Sequence, residues 1–276
     1  QKAIDLGYVK VTIDAPVESV KEMEDQLKQT FHLKEVFVSP NLVDDEEINL
    51  RDTCRALAGN LDKYIIDNTV VAVSWGNTLN CLAGQIQPLK AKDIKVVQLN
   101  GGVAKSASST GASQIVDALT MAGHGIGYMF PVPAIVDSKH TSEILQEETQ
   151  VKNVLRLAKE AEVSIFSIGA LSKDSILYEV EYLKDEDFQA LEKNKAVGDI
   201  ASRYFDINGN IALKELDDRV VGFGLEELRE KEWTIAIAVG VNKVDAIIGA
   251  LRAGFMNVLY TDEKTAREIL NRNLLG

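Results

Sequence analysis

The chain has 276 residues, 46% hydrophobic and 26% charged, with a formal net charge of −12. That length suits one large domain or two, at roughly 150 residues each, and the composition is that of a soluble globular chain. The negative field opposes a phosphate backbone, which excludes a nucleic-acid-binding surface, and no apolar run reaches the length of a membrane span.

In chain order, residues 1–13, "QKAIDLGYVKVTI", read as the last turn of a helix, a glycine stop and an alternating strand whose partner is absent. Residues 17–39 follow as an amphipathic helix and a strand that fits the main sheet. A long helix covers 46–63, apolar at Ile48, Leu50, Cys54, Leu57 and Leu61. Short β-branched runs then alternate with helical periodicity: "NTVVAVS" (68–74), "DIKVVQLN" (93–100), "IGYMFPV" (126–132), "VSIFSIG" (163–169), "TIAIAVG" (234–240) and "NVLYTD" (257–262). Strands apolar on both faces predict an α/β fold, an open and mostly parallel sheet with helices on both faces. Gly76, Gly101-Gly102, Gly169 and Gly240 end these strands. They set tight turns along one sheet edge, where open α/β sheets hold ligands.

Cys54 and Cys81 both sit in helix-like apolar patterns and read as buried free thiols, which predicts a reducing, cytoplasmic location. His32, His124 and His140 are scattered, so no metal site and no cofactor are expected. "FDINGN" (205–210) puts glycine at the fourth place, not the sixth that a calcium loop requires, and reads as a turn. "GHGIGY" (123–128) lacks the strand that a dinucleotide fingerprint follows.

Three strand ends carry candidate chemistry. In "VVAVSWGNTLNCLAGQI", Gly76-Asn77-Thr78 lies between a buried strand and a helix, where an N-cap and an anion cradle use the same residues. In "VVQLNGGVAKS", Asn100-Gly101-Gly102 reads either as a plain glycine turn or as a close backbone approach to a ligand. "AVGVNKVDAIIGALRAG" puts Lys243 in the first turn of a helix, where the dipole disfavours a cation unless an anion compensates; the alternative is a solvated lysine. In "AVGDIASRYFD", Asp199 and Arg203 stand four apart, the spacing of a surface helix ion pair.

"VVAVSWGNTL", "VVQLNGG", "AVGDIASRYFD", "DDRVVGF", "GVNKVDAIIGALRAG" and "NVLYTDEKTA" occur in the order found in the effector-binding domains of SorC-type bacterial sugar regulators, a family that includes the deoxyribonucleoside and central-glycolysis repressors. The resemblance begins near residue 7 and spans nearly the whole chain. It implies a fold similar to the sugar-phosphate isomerase and glucosamine-phosphate deaminase fold, and a helix-turn-helix domain ahead of this region. Residues 1–13 are then the remnant of that junction, and 14–276 the effector-binding and oligomerisation domain.

Carried onto matching positions, the resemblance implies that Gly76, Asn77, Thr78 and Leu79 cradle a phosphate and that Lys243 balances its charge. Asp199 would accept from sugar hydroxyls, and Gln98, Asn100, Gly101 and Gly102 would line the pocket floor. The deoxyribose-phosphate-responsive member has a Schiff-base lysine before its paired glycines. Asn100 stands there in this chain, which excludes covalent capture at that position.

The expected function is that of a sensor of a phosphorylated sugar, controlling a carbohydrate catabolic operon. Its expected form is a homodimer or homotetramer, reaching operator DNA only through the helix-turn-helix domain. Two alternatives are a sugar-phosphate isomerase or deaminase using Asp199, the single carboxylate in the pocket motifs, and a purely structural assembly domain.

Overall fold

The computed structural model describes residues 17–103 and 112–275; the expected junction at 1–13 lies outside them. The first half runs α1 (Val17–Phe31), β1 (Glu35–Ser39), α2 (Glu46–Asn60), β2 (Val70–Val73), α3 (Asn77–Ala83), β3 (Lys95–Gln98), α4 (Ala112–Ala122) and β4 (Ile126–Tyr128). Next come α5 (Lys139–Glu147), α6 (Thr149–Glu160), β5 (Val163–Ser167), β6 (Gly169–Ala170), α7 (Ile176–Glu179), α8 (Asp185–Lys193), β7 (Ala196–Ile200) and β8 (Arg203–Asp206). The described chain ends with α9 (Lys214–Asp217), β9 (Trp233–Ile237), α10 (Val244–Arg252), β10 (Val258–Asp262) and α11 (Glu263–Leu275). Every expected main-sheet strand is present. Local signals set the long helix: Asp45 accepts the Ile48 N–H at 3.0 Å, and Glu46 and Glu47 occupy the positive first turn of α2.

Seven strands form one sheet in the order β1-β10-β9-β5-β2-β3-β4, all parallel. Period-two alternation sends Val71, Val73, Ile165, Ile235 and Ile237 to one face, against Leu57 of α2, Leu79 and Leu82 of α3 and Ile115 of α4. Ala72, Val97, Phe166, Ala236 and Leu259 point the other way, against Leu27 of α1, Leu157 of α6, Ile247 of α10 and Ile269 of α11. Both faces are therefore dry, which is why these strands read as continuous apolar runs. From β2 the chain steps to β3 and β4, then returns to place β5 on the other side of β2. The order reverses there, and loops leaving β2 and β5 diverge to open a crevice at their carboxyl ends.

Between β5 and β9 the chain builds a second sheet, β6-β7-β8, antiparallel and not foreseen in the sequence. Here "AVGDIASRYFD" is a hairpin. Ile200 pairs with Arg203 across Ala201 and Ser202, whose φ values are 51° and 71°. Two consecutive residues at positive φ make a type I′ turn, matched to the right-handed strand twist. The expected Asp199–Arg203 helix pair is therefore corrected: the residues occupy successive rungs of the hairpin and face opposite ways.

Arg203 turns instead into the 217–223 segment. Its Nε donates to the Phe223 carbonyl at 2.7 Å, Nη2 to the Gly222 carbonyl at 3.1 Å, and Nη1 to Asp217 Oδ1 at 2.6 Å. Leu177, Phe188, Leu191, Tyr204 and Leu216 form a third core beneath this lobe. "FDINGN" is a turn as expected, with Asp206 Oδ1 accepting the Asn208 and Asn210 N–H groups.

Candidate functional site

A cavity of about 280 Å³ lies at the switch point, between the carboxyl ends of the main sheet and the small sheet. Its walls come from separated parts of the chain: Ser74–Thr78 after β2, Asn100 after β3, 167–177 after β5, the β7–β8 hairpin, and Asn242 and Lys243 ahead of α10.

The first wall is built by Gly76. At φ 131° it occupies a backbone region closed to side-chain-bearing residues, and as N-cap of α3 it offers no capping side chain. The first amides of α3 are thus uncapped, and Asn77 and Thr78 line the cavity beside them. Trp75 Nε1 donates to the Gly101 carbonyl at 2.8 Å and ties this turn to the β3 loop.

Lys243 lines the cavity too, half-buried, at the end of a 3₁₀ turn that leads into α10. Burial pulls its ammonium below the usual lysine range, against the raising influence of Glu46, Asp199 and Cys54. Among the described residues it forms no ion pair.

The rest of the lining mixes hydroxyl, amide and carboxyl groups with apolar side chains such as Ile168, Ile176 and Leu177. Asp199 Oδ2 accepts the Ser202 N–H at 3.0 Å, and Asn100 Nδ2 donates to Ser202 Oγ at 3.1 Å. Ser74 Oγ and Asn100 Oδ1 are buried without a hydrogen-bond partner among the described residues. An orphaned donor or acceptor costs about 1–3 kcal/mol, so both mark places where a guest's polar groups would be stabilised. The cavity thus brings together open amides, an ammonium, neutral oxygens and the carboxyls of Asp174 and Asp199.

A family model described as "Putative sugar-binding domain" matches residues 15–271. The chain belongs to this family. It is 31% identical over 271 residues to the deoxyribonucleoside regulator of Bacillus subtilis (strain 168), covering 98% of this chain and 86% of that one. Identity to the transcriptional regulator LsrR of Escherichia coli (strain K12) is 30% over 277 residues, covering 98% and 83%. The full-length sorbitol operon regulator SorC from Klebsiella pneumoniae shares the fold, with a TM-score of 0.87 at 23% identity over 98% of this chain and 87% of that one. The SorC-type resemblance holds, and with it the reading as a regulator's domain rather than an enzyme.

Within the sugar-binding domain, Gly76, Asn77, Thr78, Asn100, Asp199 and Lys243 meet at the cavity. Four expected residues do not line it. The Leu79 side chain is fully buried in the core under α3, so only its backbone faces the turn. Gln98 holds the sheet edge together: Nε2 donates to the Asn100 carbonyl at 2.7 Å and Oε1 accepts the Phe130 N–H at 3.2 Å. Gly102 exchanges backbone hydrogen bonds with Val132 and Ala134.

Gly101 packs so closely that a Cβ there would lie 2.5 Å from the Pro133 and Val132 carbonyl oxygens. Gly101→Ala is therefore expected to cost about 1–3 kcal/mol in urea unfolding. A loss of ligand affinity with stability intact would return Gly101 to the pocket floor.

Sequence reasoning missed Ser74, Trp75, Ser202, Tyr204 and the serine-rich run Ser172, Asp174 and Ser175. The signal available was "SIGALSKDS", a polar stretch directly after a buried strand. Asp174 also corrects the count of one carboxylate in the site.

Burial holds the Asp199 carboxyl up at about 6, against the lowering influence of the Ser202 amide and Lys243. An acid that ionises less readily in the native state binds more protons there than in the unfolded chain. This group's contribution to stability therefore falls as pH rises from about 4 to about 6. Asp199→Asn should remove that slope, so that the variant's stability relative to the parent in urea unfolding rises with pH across this window. A gap constant with pH would contradict the burial argument.

Proposed function

We propose that this cavity binds a phosphorylated sugar and that the domain is the effector sensor of a transcription regulator controlling a carbohydrate catabolic operon. One observation carries the reading: Lys243, without an ion pair among the described residues, lines the same cavity as the uncapped Gly76-Asn77-Thr78 turn, together with the polar groups of Asp199, Asn100, Ser74 and Ser202. A cation beside open amides suits a phosphate, and neutral oxygens with a carboxyl suit sugar hydroxyls. The names of two relatives, a deoxyribonucleoside regulator and a sorbitol operon regulator, support a carbohydrate signal.

Operator contact is assigned to the helix-turn-helix domain that the SorC-type family carries, and the effector acts by binding two subunit arrangements unequally. A homodimer or homotetramer in the cytoplasm fits this role.

The test is a thermal-shift screen over phosphorylated pentoses and hexoses, with mass spectrometry of the ligand afterwards. A ligand at 100 times its Kd adds about 2.7 kcal/mol of stability and is recovered intact. No shift with any sugar phosphate would overturn the proposal, and steady conversion of the ligand would return the enzyme reading.

A further inference from the structure

Gly169 and Asp199 sit directly opposite each other where β6 pairs with β7, and both line the cavity. Opposed residues of an antiparallel pair send their side chains to the same face of the sheet. Position 169 has no side chain, and the Asp199 carboxyl fills that space. A Cβ on Gly169 would overlap Asp199 Oδ1, and the next atoms it would meet also belong to Asp199, Cγ at 3.4 Å and the backbone oxygen at 3.9 Å.

Nothing else calls for glycine at this position. Its φ is not positive, so the backbone is open to any residue, and in a strand glycine is less favourable than alanine. Gly198, one residue before Asp199, is a different case: a Cβ there would run into the Gly169 carbonyl oxygen and the Ala246 Cβ of α10.

The Asp199 carboxyl is held from its other side by the hairpin. Oδ2 accepts the Ser202 N–H at 3.0 Å, while Oδ1 takes no hydrogen bond among the described residues. Turning the carboxyl away from position 169 breaks the Ser202 bond.

We propose that Gly169 is a positioning residue of the cavity: its missing side chain seats the Asp199 carboxyl over β6, with Oδ2 tied to the hairpin and Oδ1 left open to a hydroxyl of the bound sugar phosphate. The hydroxyl rests on the effector reading above, whereas the seat does not. Any side chain at 169 either drives the carboxyl out or parts β6 from β7.

The test begins with a double-mutant cycle in urea without ligand. Gly169→Ala should lower the unfolding midpoint of the parent. On an Asp199→Ala background, where the obstructing carboxyl is gone, the same change should leave the midpoint level or raise it. Gly198→Ala should lower it on both backgrounds, because backbone and α10 obstruct it. An equal fall for Gly169→Ala on both backgrounds would overturn the seat. If Gly169→Ala alone does not fold, recovery in the double variant supports the seat and failure to recover overturns it.

A pH profile separates positioning from plain packing. The Asp199 carboxyl stands at about 6, and Lys243, Tyr204 and Asp174 are the other titratable side chains of the cavity wall. Once displaced from its seat, the carboxyl returns toward the ordinary aspartate range. The stability of Gly169→Ala relative to the parent should therefore rise with pH from about 4 to about 6. A relative stability flat across that window would make Gly169 a packing position and end the proposal.

The last arm runs the phosphorylated pentoses and hexoses of the screen on both proteins by calorimetry. Each sugar phosphate that binds the parent should bind Gly169→Ala about tenfold or more weakly, the value of one hydrogen bond to a charged group. Equal affinity would overturn the proposal. A parent that binds none of them would end the effector reading, and the urea and pH results then decide the seat by themselves.

Discussion

Lys243→Ala is expected to lower affinity for a phosphorylated sugar by about 10- to 150-fold while leaving the fold intact. Lys243 lines the same cavity as the Gly76-Asn77-Thr78 turn, and a charge-assisted hydrogen bond to a bound phosphate is worth roughly 1.5–3 kcal/mol. At 1.4 kcal/mol per tenfold, that is the stated range. Stability should hold or rise slightly, because burial penalises the ammonium.

Thr78→Val removes one neutral hydroxyl at constant shape and should cost roughly threefold to tenfold. The unphosphorylated sugar is the control, since without an anion its weaker binding should be indifferent to Lys243→Ala. Calorimetry on both proteins with both ligands gives the coupling directly. Equal losses for the two ligands would make Lys243 a general pocket residue and end the phosphate assignment.

Arg203→Met should destabilise the chain by about 3–5 kcal/mol, the cost of breaking a buried ion pair from one side. Its guanidinium is 9/10 buried at the side chain, with relative exposures of 10% for Arg203 and 14% for Asp217. Removing it takes this donor from the Phe223 and Gly222 carbonyls and leaves the Asp217 carboxylate only the exposed Lys214 ammonium at 3.7 Å. Arg203→Lys should recover little, because one ammonium cannot span three acceptors on different sides of a planar fork.

Arg203 also follows Ser202 directly, so its loss should loosen the hairpin that holds Asp199 at the cavity and weaken sugar binding by a second route. Urea unfolding checks the first effect and calorimetry the second. A loss below about 1 kcal/mol, the value of an exposed pair, would mean that the network contributes no more than a surface contact.

The sequence by itself determined the layered sheet and one wall of the site. Val71, Val73, Ile235 and Ile237 alternate with residues that are equally apolar, and only a parallel sheet covered on both faces buries both sets. Gly76 was legible because a glycine between a buried strand and a helix start has a local cause, a backbone angle that other residues avoid. Lys243 was legible for a similar reason, a cation placed where the helix dipole disfavours one. Such signals lie within a few residues of the position they specify.

Only the tertiary structure decided which loops meet. Ser74 and Asn100 share a cavity with Ser202 because β5 returns to the far side of β2, and strand order is a property of the whole sheet that no short window encodes. Gln98 and Gly101 sit beside Asn100 in sequence yet turn into packing against Phe130, Val132 and Pro133, contacts set by a segment some thirty residues away. The β7–β8 hairpin escaped notice because its turn is Ala201-Ser202, which adopts positive φ without the glycine or asparagine that announces it. Its conformation is held by Asp199 accepting the Ser202 N–H and by Arg203 anchored to 217–223. These non-local contacts override the local preference of alanine and serine for the other side of the Ramachandran map.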